Sequence, residues 1–245
     1  MEINNFLDAT RFNANLISEE LLDYQLTWEN FLLLMERPGA RHAQTLLLTV
    51  RGNLLVVKRP LRGLLREFFA SQCLDDDHNW AYYQFFALNR RSRSAVAGRY
   101  RLVPTCAPRS HQVCWVMAHQ LTSFHAHCRG SLLIFRRQHA THSRLQVLID
   151  SSYQKLKNNL AAADMVGAFQ LAMIEYDQYL AGCSTTTLQP IDYARLLQLH
   201  QQRERYDFIY QRRRFNRYYR HVYGEDLSTA LEQELKRTFT SFSPY

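Results

Sequence analysis

The sequence predicts an α+β protein in which a central, mostly antiparallel sheet has flanking helices and is followed by a helical C-terminal region. Short apolar runs separated by turn residues fill the middle of the chain, as is typical of antiparallel strands. Longer segments with apolar residues at helical spacing follow from Leu160 onward. The 245 residues, 47% of them hydrophobic, are enough to bury a sizeable core and argue against disorder.

The N-terminal part is predicted to contain a helix. Apolar residues recur there at mostly helical spacing up to about residue 40. Ser18 followed by Glu19 and Glu20 is typical of a helix start, where acidic side chains are favoured. We therefore expect an N-terminal helix.

A hairpin and a helix are predicted next. Residues 45–50 and 54–58 are apolar runs separated by a glycine-containing turn, which indicates a hairpin. Pro60 favours a helix start, because proline suits the beginning of a helix. The spacing predicts a helix over residues 61–71 with one apolar face, made of Leu61, Leu64, Leu65, Phe68 and Phe69.

Residues 75–77 are three consecutive aspartates, which we interpret as a loop or as a helix N-terminus. A metal site is less favoured, because successive side chains on a helix or strand cannot all face one ion. An aromatic block at residues 80–88 precedes Arg90, Arg91 and Arg93. A buried helix followed by a solvated loop explains this composition, and a surface that stacks single-stranded bases is the alternative.

The central stretch is predicted to be a strand, a loop and a second strand. Pro104 cannot donate a hydrogen bond to a sheet, so the first strand should end there. Residues 112–117, after the loop, are rich in β-branched and aromatic side chains. Arg99, Arg101 and Arg109 surround the loop, where arginines reach phosphates or enter a narrow minor groove. A solvated hairpin with ordinary surface arginines is the alternative.

A second hairpin is predicted from the apolar runs at residues 131–135 and 145–149, and its turn holds Arg136 and Arg137. A long helix is predicted over residues 160–180. Its apolar positions are Leu160, Met165, Phe169, Leu171, Ile174 and Tyr179.

The chain is predicted to divide at a polar linker that follows this helix. Residues 1–182 would form an α+β domain with an N-terminal helix, and residues 183–245 a basic helical extension. On a helix, Arg213, Arg217 and Arg220 share one face. Apolar side chains share another, namely Phe208, Phe215, Tyr219 and Val222. Such a helix can bind DNA phosphates, an anionic membrane surface or an acidic partner. The alternative is an ordinary amphipathic helix, whose basic face is solvated and whose apolar face packs in the core.

The charge balance is basic. Lysine and arginine total 30 against 22 acidic residues, which gives a net charge of +8. Arginine heavily outnumbers lysine, and its planar guanidinium binds phosphate through two hydrogen bonds. This composition fits a nucleic-acid binder or a protein that docks on an acidic partner.

Nothing in the sequence predicts an enzyme or a bound cofactor. The chain has no glycine-rich phosphate loop, no Gly-x-Ser-x-Gly elbow and no paired carboxylates in a motif. Its scattered cysteines and histidines lack zinc-knuckle spacing, so we expect no metal site and reduced thiols. The N-terminus lacks a signal peptide and no apolar run is long enough to cross a bilayer, so we expect a cytoplasmic protein without membrane contact.

Two motifs resemble the competence transcription factor ComK family. The first comprises Pro104, Thr105, a polar loop, Gln112, Trp115 and His119. The second follows a strand end and comprises Ser152, Tyr153, Leu156, Asn158 and Asn159. A looser match places paired phenylalanines before Ala70, where the family has glycine. The resemblance spans roughly residues 45–165.

The resemblance implies a bacterial transcription activator of competence (DNA uptake) genes that reads paired A/T-rich boxes of double-stranded DNA, largely through the minor groove. It also implies self-association on DNA and control by an adaptor-protease system. Because minor-groove reading requires cations that fit a narrow, negative groove, the candidate DNA-binding residues are Arg90, Arg91, Arg93, Arg99, Arg101, Arg109, Arg136 and Arg137. Arg212, Arg213, Arg214 and Arg217 would add non-specific phosphate affinity. The alternative is a basic regulatory module, without enzymatic activity, that docks on an acidic protein or on RNA.

Overall fold

The computed structural model describes residues 6–9, 14–88, 92–106, 113–136, 144–182 and 193–241. These residues confirm the α+β class, with mostly antiparallel sheets and a helical C-terminal region. The chain divides into two compact units. Unit 1 comprises Met1–Leu74 and Arg90–Gly167, and unit 2 comprises Asp75–Asn89 and Ala168–Tyr245. The domains predicted from the sequence, residues 1–182 and residues 183–245, remain a prediction.

Unit 1 contains two sheets. Their strands are β1 (Phe6–Asp8), β2 (Ile17–Leu21), β3 (Phe31–Glu36), β4 (Thr45–Thr49), β5 (Leu54–Val57), β6 (Ala95–Ala97), β7 (Tyr100–Pro104), β8 (Cys114–Met117), β9 (Leu121–His127), β10 (Gly130–Arg136) and β11 (Arg144–Ile149). The larger sheet has the order β2-β5-β4-β3-β8-β7-β6, and the smaller has the order β1-β11-β10-β9. β1 and β2 run parallel to their neighbours, whereas the other strand pairs are antiparallel.

The predicted hairpins are confirmed. β4 and β5 pair in antiparallel fashion, with Leu46 opposite Val56. β10 and β11 pair in the same way, starting from Ser131 opposite Ile149. β7 ends at Pro104 and pairs with β8, as predicted for the central stretch. The turn residues and the β-branched runs therefore located these strands correctly.

The predicted N-terminal helix is wrong. Ile17–Leu21 form the edge strand β2, and the next apolar run forms β3 in the interior of the larger sheet. β3 is buried on both faces from Phe31 to Met35. Because a strand buried on both faces shows no alternation of apolar and polar residues, its apolar spacing is compatible with a helix.

The helices are α1 (Leu61–Ser71), α2 (Asp76–Phe85), α3 (Tyr153–Leu180), α4 (Tyr193–Tyr223) and α5 (Thr229–Ser241). α1 has the predicted bounds and follows Pro60, and its apolar face packs on the core of the larger sheet. α2 begins at the aspartates, so the second of their two interpretations, a helix N-terminus, is confirmed. The Asp75 carboxylate caps it by accepting a hydrogen bond from the backbone N–H of Asp77 at 2.9 Å.

The buried side of α3 changes along its length, because the helix contributes residues to both units. Leu160 is buried in the first half and Phe169 in the second. The other predicted apolar positions are about half exposed, namely Met165, Leu171, Ile174 and Tyr179. The predicted helix over residues 160–180 is confirmed, but most of the apolar positions that indicated it are not buried.

Unit 2 has an aromatic core. The rings of Tyr82 and Tyr206 stack with centroids 4.5 Å apart, and those of Phe85 and Phe169 stack at 4.7 Å. The aromatic block at residues 80–88 thus contributes to a packed helix, in agreement with the first of its two interpretations, a buried helix. Its rings contact other rings of unit 2.

One interpretation of α4, a solvated basic face over a core stripe, does not describe the second half of the helix. Phe215 is 38% exposed and Val222 is 48% exposed. Leu199 and Tyr206, in the first half of the helix, are the residues that join the core. Regular spacing of apolar residues identified the helix but not the part of it that is covered.

Gly167 lies where α3 passes close to the turn between β6 and β7 of the larger sheet. A Cβ atom there would lie 2.4 Å from the carbonyl oxygen of Gly98. Alanine stabilises a helix by about 1 kcal/mol relative to glycine. A clash between the new methyl group and the backbone should destabilise the protein by more than that, near the upper end of about 1–3 kcal/mol. We expect Gly167→Ala to lower the free energy of unfolding measured in urea. Gly63→Ala is the control, because the nearest atom to its Cβ is 3.6 Å away. Equal effects of the two variants would contradict the close approach.

Candidate nucleic-acid interface

The two motifs that resemble the ComK family meet in a buried hydrogen-bond network. The Asn159 side chain donates to the carbonyl oxygen of Pro104 at 2.8 Å. The Ser151 hydroxyl donates to the carbonyl oxygen of Thr105 at 2.9 Å, and the Thr105 hydroxyl accepts from the backbone N–H of Cys114 at 3.1 Å. These bonds join β7, β8 and the start of α3, so the motif residues hold the fold of unit 1 together.

Arg99 and Arg101 have different environments around the β6–β7 turn. Arg99 is exposed, and its guanidinium lies 5.5 Å from the ring centroid of Tyr100. Arg101 is half-buried and forms an ion pair with Asp164 of α3. Its Nε also donates to the carbonyl oxygen of Arg99 at 3.3 Å. Arg101 therefore links a strand to a helix, whereas the Arg99 side chain is accessible to a ligand.

Arg136 lies directly opposite Arg144 at the end of the β10–β11 ladder. Both side chains are exposed, and neither forms an ion pair with a carboxylate in the described part of the chain. Like charges placed opposite each other on two strands destabilise a sheet. An anion bound between Arg136 and Arg144, the cross-strand arginine pair, would offset this repulsion.

Arg144 is not among the DNA-binding residues that the sequence predicts. The hairpin predicted from residues 131–135 and 145–149 places Phe135 opposite Leu145, as the structure confirms. Extending that register by one residue places Arg136 opposite Arg144. The register of the hairpin was thus the signal that could have found it.

The remaining candidates of unit 1 are not brought together with this pair. Arg93 is exposed and precedes β6 in the larger sheet. Arg99 lies in the turn before β7 of the same sheet, whereas Arg136 ends β10 of the smaller sheet. Other candidates lie outside the described residues, namely Arg90, Arg91, Arg109 and Arg137.

The basic face of α4 is bound to acidic residues of unit 2. The Arg213 Nε atom lies 3.3 Å from Asp77 Oδ1, and the Arg217 Nη1 atom lies 3.0 Å from Asp77 Oδ2. The hydrogen bond and charge of Asp77 raise the pKa of Arg217. Arg213, Arg217 and Arg220 line one cleft of about 290 Å³, which confirms that they share a face.

The other two arginines predicted on α4 also have partners. Arg212 Nε lies 3.0 Å from a carboxylate oxygen of Glu232 in α5. The Arg214 guanidinium lies 5.7 Å from the centroid of the Tyr210 ring. A phosphate would have to compete with internal carboxylates for Arg212, Arg213 and Arg217.

The described residues contain no group of three or more histidine, cysteine, aspartate or glutamate side chains placed to hold a metal ion. Burial raises the pKa of the Cys114 thiol to about 12, so the reactive thiolate is disfavoured there. Among the same residues, none of the helices combines the length and the apolar character that crossing a membrane requires.

Comparisons with known proteins add no relative. No protein-family profile, no curated protein and no solved structure matches this chain. The similarity to the ComK family therefore consists of the two motifs and the looser match described above.

Proposed function

We propose that this chain is a DNA-binding transcription activator of competence genes that reads A/T-rich double-stranded DNA largely through the minor groove. The observation that carries the proposal is the cross-strand arginine pair, Arg136 and Arg144. A narrow A/T minor groove supplies the concentrated negative potential that two adjacent, exposed guanidinium groups favour. The net charge of +8 supports the approach to DNA.

The other candidate arginines fall into two roles in this proposal. Arg93 and Arg99 are exposed and are suited to phosphate contacts at the larger sheet. Arg101 and the paired arginines of α4 primarily stabilise unit 1 and unit 2, respectively. Self-association on DNA and control by an adaptor-protease system belong to the proposal through the ComK resemblance.

The test is fluorescence-anisotropy binding to a duplex with two A/T boxes and to a scrambled G/C-rich duplex, across a salt series. For the double variant Arg136→Ala with Arg144→Ala, we expect at least a tenfold loss of affinity for the A/T duplex. The slope of log K against log salt is negative and should become less steep by about 2, because two cations that neutralise phosphates are removed.

The matched control is Arg62→Ala with Arg66→Ala on the exposed side of α1, which removes the same charge. This control should keep the A/T preference of the wild type. Equal losses in both double variants would mean that net charge alone drives binding, and the arginine pair would lose its role.

Equal, weak binding of the wild type to both duplexes would favour the second candidate function, docking on an acidic protein. The specific observation for it is an exposed apolar stripe on α4, formed by Phe215, Tyr218 and Val222. Arg214 lies beside this stripe on the helix surface, which favours an acidic amphipathic helix as the partner.

A further inference from the structure

The smaller sheet has two different faces. On one face, Leu7 of β1 lies beside Val147 of β11, and both are buried. Leu7 and Leu33 of the larger sheet line the same small cavity, so this face packs against the larger sheet. Because successive residues of a strand point to opposite faces, Phe6 and Gln146 lie on the other face. We call this the outer face of the smaller sheet.

The outer face brings together an aromatic ring, an amide and two cations. Phe6 is 46% exposed and lies next to Gln146, which is also exposed. Arg144 precedes Gln146 by two residues on β11 and pairs with Arg136 of β10. The cross-strand arginine pair therefore lies on the outer face as well, since residues two apart on a strand point to the same side.

The charge of the outer face favours an anionic partner. In the described strands of the smaller sheet, Asp8 carries the one carboxylate, and its Oδ2 atom lies 3.1 Å from the Nη1 atom of Arg129. That carboxylate is engaged by its own cation and does not neutralise the cross-strand arginine pair. Phosphates of a nucleic-acid strand match the two guanidinium groups in charge and in hydrogen-bond geometry.

The spacing of these side chains fits a single nucleotide. Phe6 and Arg144 lie one strand and two residues apart, which places their Cα atoms about 8 Å from each other. The base and the phosphate of one nucleotide can span this separation with the help of the long arginine side chain. The bases of a duplex are stacked on one another, whereas an unpaired strand offers its base faces to an aromatic side chain.

We propose that the outer face of the smaller sheet binds single-stranded DNA, with a base stacked on Phe6 and the adjoining phosphate bound by the cross-strand arginine pair. Gln146 lies beside both, and its amide can donate to and accept from the edge of the stacked base. The phosphate contact rests on the DNA-binding function proposed above, which is also why DNA is the strand assigned here. Phe6 has no part in that function, so its substitution separates the two.

The test is fluorescence anisotropy of the full chain with a labelled oligothymidylate of about 12 nucleotides. For Phe6→Ala we expect about a tenfold loss of affinity, as is typical when one base loses its aromatic partner. Phe6→Trp keeps a ring at this position and should bind at least as tightly as the wild type. Both variants should bind the A/T duplex within about twofold of the wild type, because a duplex offers no free base face to the ring.

The matched control is Phe215→Ala, which removes an exposed phenylalanine from α4 and should leave oligothymidylate binding unchanged. Arg136→Ala with Arg144→Ala should weaken oligothymidylate binding. Its salt slope should become less steep by about 1.4, the value for two phosphates of a single strand. Circular dichroism should be the same for all of these proteins.

A wild type that does not bind oligothymidylate, or a Phe6→Ala variant that binds it as the wild type does, would overturn the proposal. Equal losses for Phe6→Ala and Phe215→Ala would do the same. Tighter binding of oligouridylate would overturn the assignment to DNA and indicate an RNA strand instead. The duplex assay with A/T and G/C sequences reports separately on the proposed function, so failure of either proposal is recognised without the other.

Discussion

Replacing Trp115 with alanine is expected to lower the free energy of unfolding by about 3–5 kcal/mol. Trp115 is 7% exposed and lies in β8, opposite Leu34 of β3 and Pro104 of β7. Its ring centroid is 6.0 Å from that of Phe69 in α1. Loss of the indole removes buried apolar surface and leaves a cavity between the sheet and α1, which the surrounding strands fill only in part.

Urea unfolding followed by far-UV circular dichroism measures this effect. Trp115→Phe is the matched control, because it keeps an aromatic ring in the same site and should cost clearly less than alanine. A loss under about 1 kcal/mol for Trp115→Ala would contradict the role of this side chain in the core.

Replacing Asp77 with alanine is expected to destabilise unit 2 by about 2–3 kcal/mol. The Asp77 carboxylate is 8% exposed and contacts both Arg213 and Arg217. Removing one partner of a fully buried ion pair costs about 3–5 kcal/mol. The value here is smaller because Arg217 is 67% exposed and is screened by water.

The measurement is amide hydrogen exchange of α4 combined with urea unfolding. Asp76→Ala is the control, since Asp76 is exposed, carries the same charge and occupies the same first turn of α2. Asp77→Ala should accelerate exchange in α4 far more than Asp76→Ala does. Equal acceleration would mean that helix N-terminal charge, rather than the two ion pairs, stabilises this part of unit 2.

The sequence alone was sufficient for features with strong local signals. Turn residues between short apolar runs located both hairpins, and Pro60 together with helical spacing located α1 with its observed bounds. Pro104 marked the end of β7 because proline has no backbone N–H to donate to a neighbouring strand. The register of the second hairpin also places Arg144 opposite Arg136.

Only the tertiary structure decided which apolar and charged side chains are covered. The strand β3 was interpreted as part of a helix because burial on both faces removes the alternation that identifies a strand. Periodicity placed Arg213 and Arg217 on one face of α4, but their partner Asp77 lies more than a hundred residues earlier in the chain. Ion pairing depends on distance in space, which sequence spacing does not report. The tertiary structure therefore decided that Arg213 and Arg217 of α4 are bound to Asp77, whereas Arg136 and Arg144 form no ion pair with a described carboxylate.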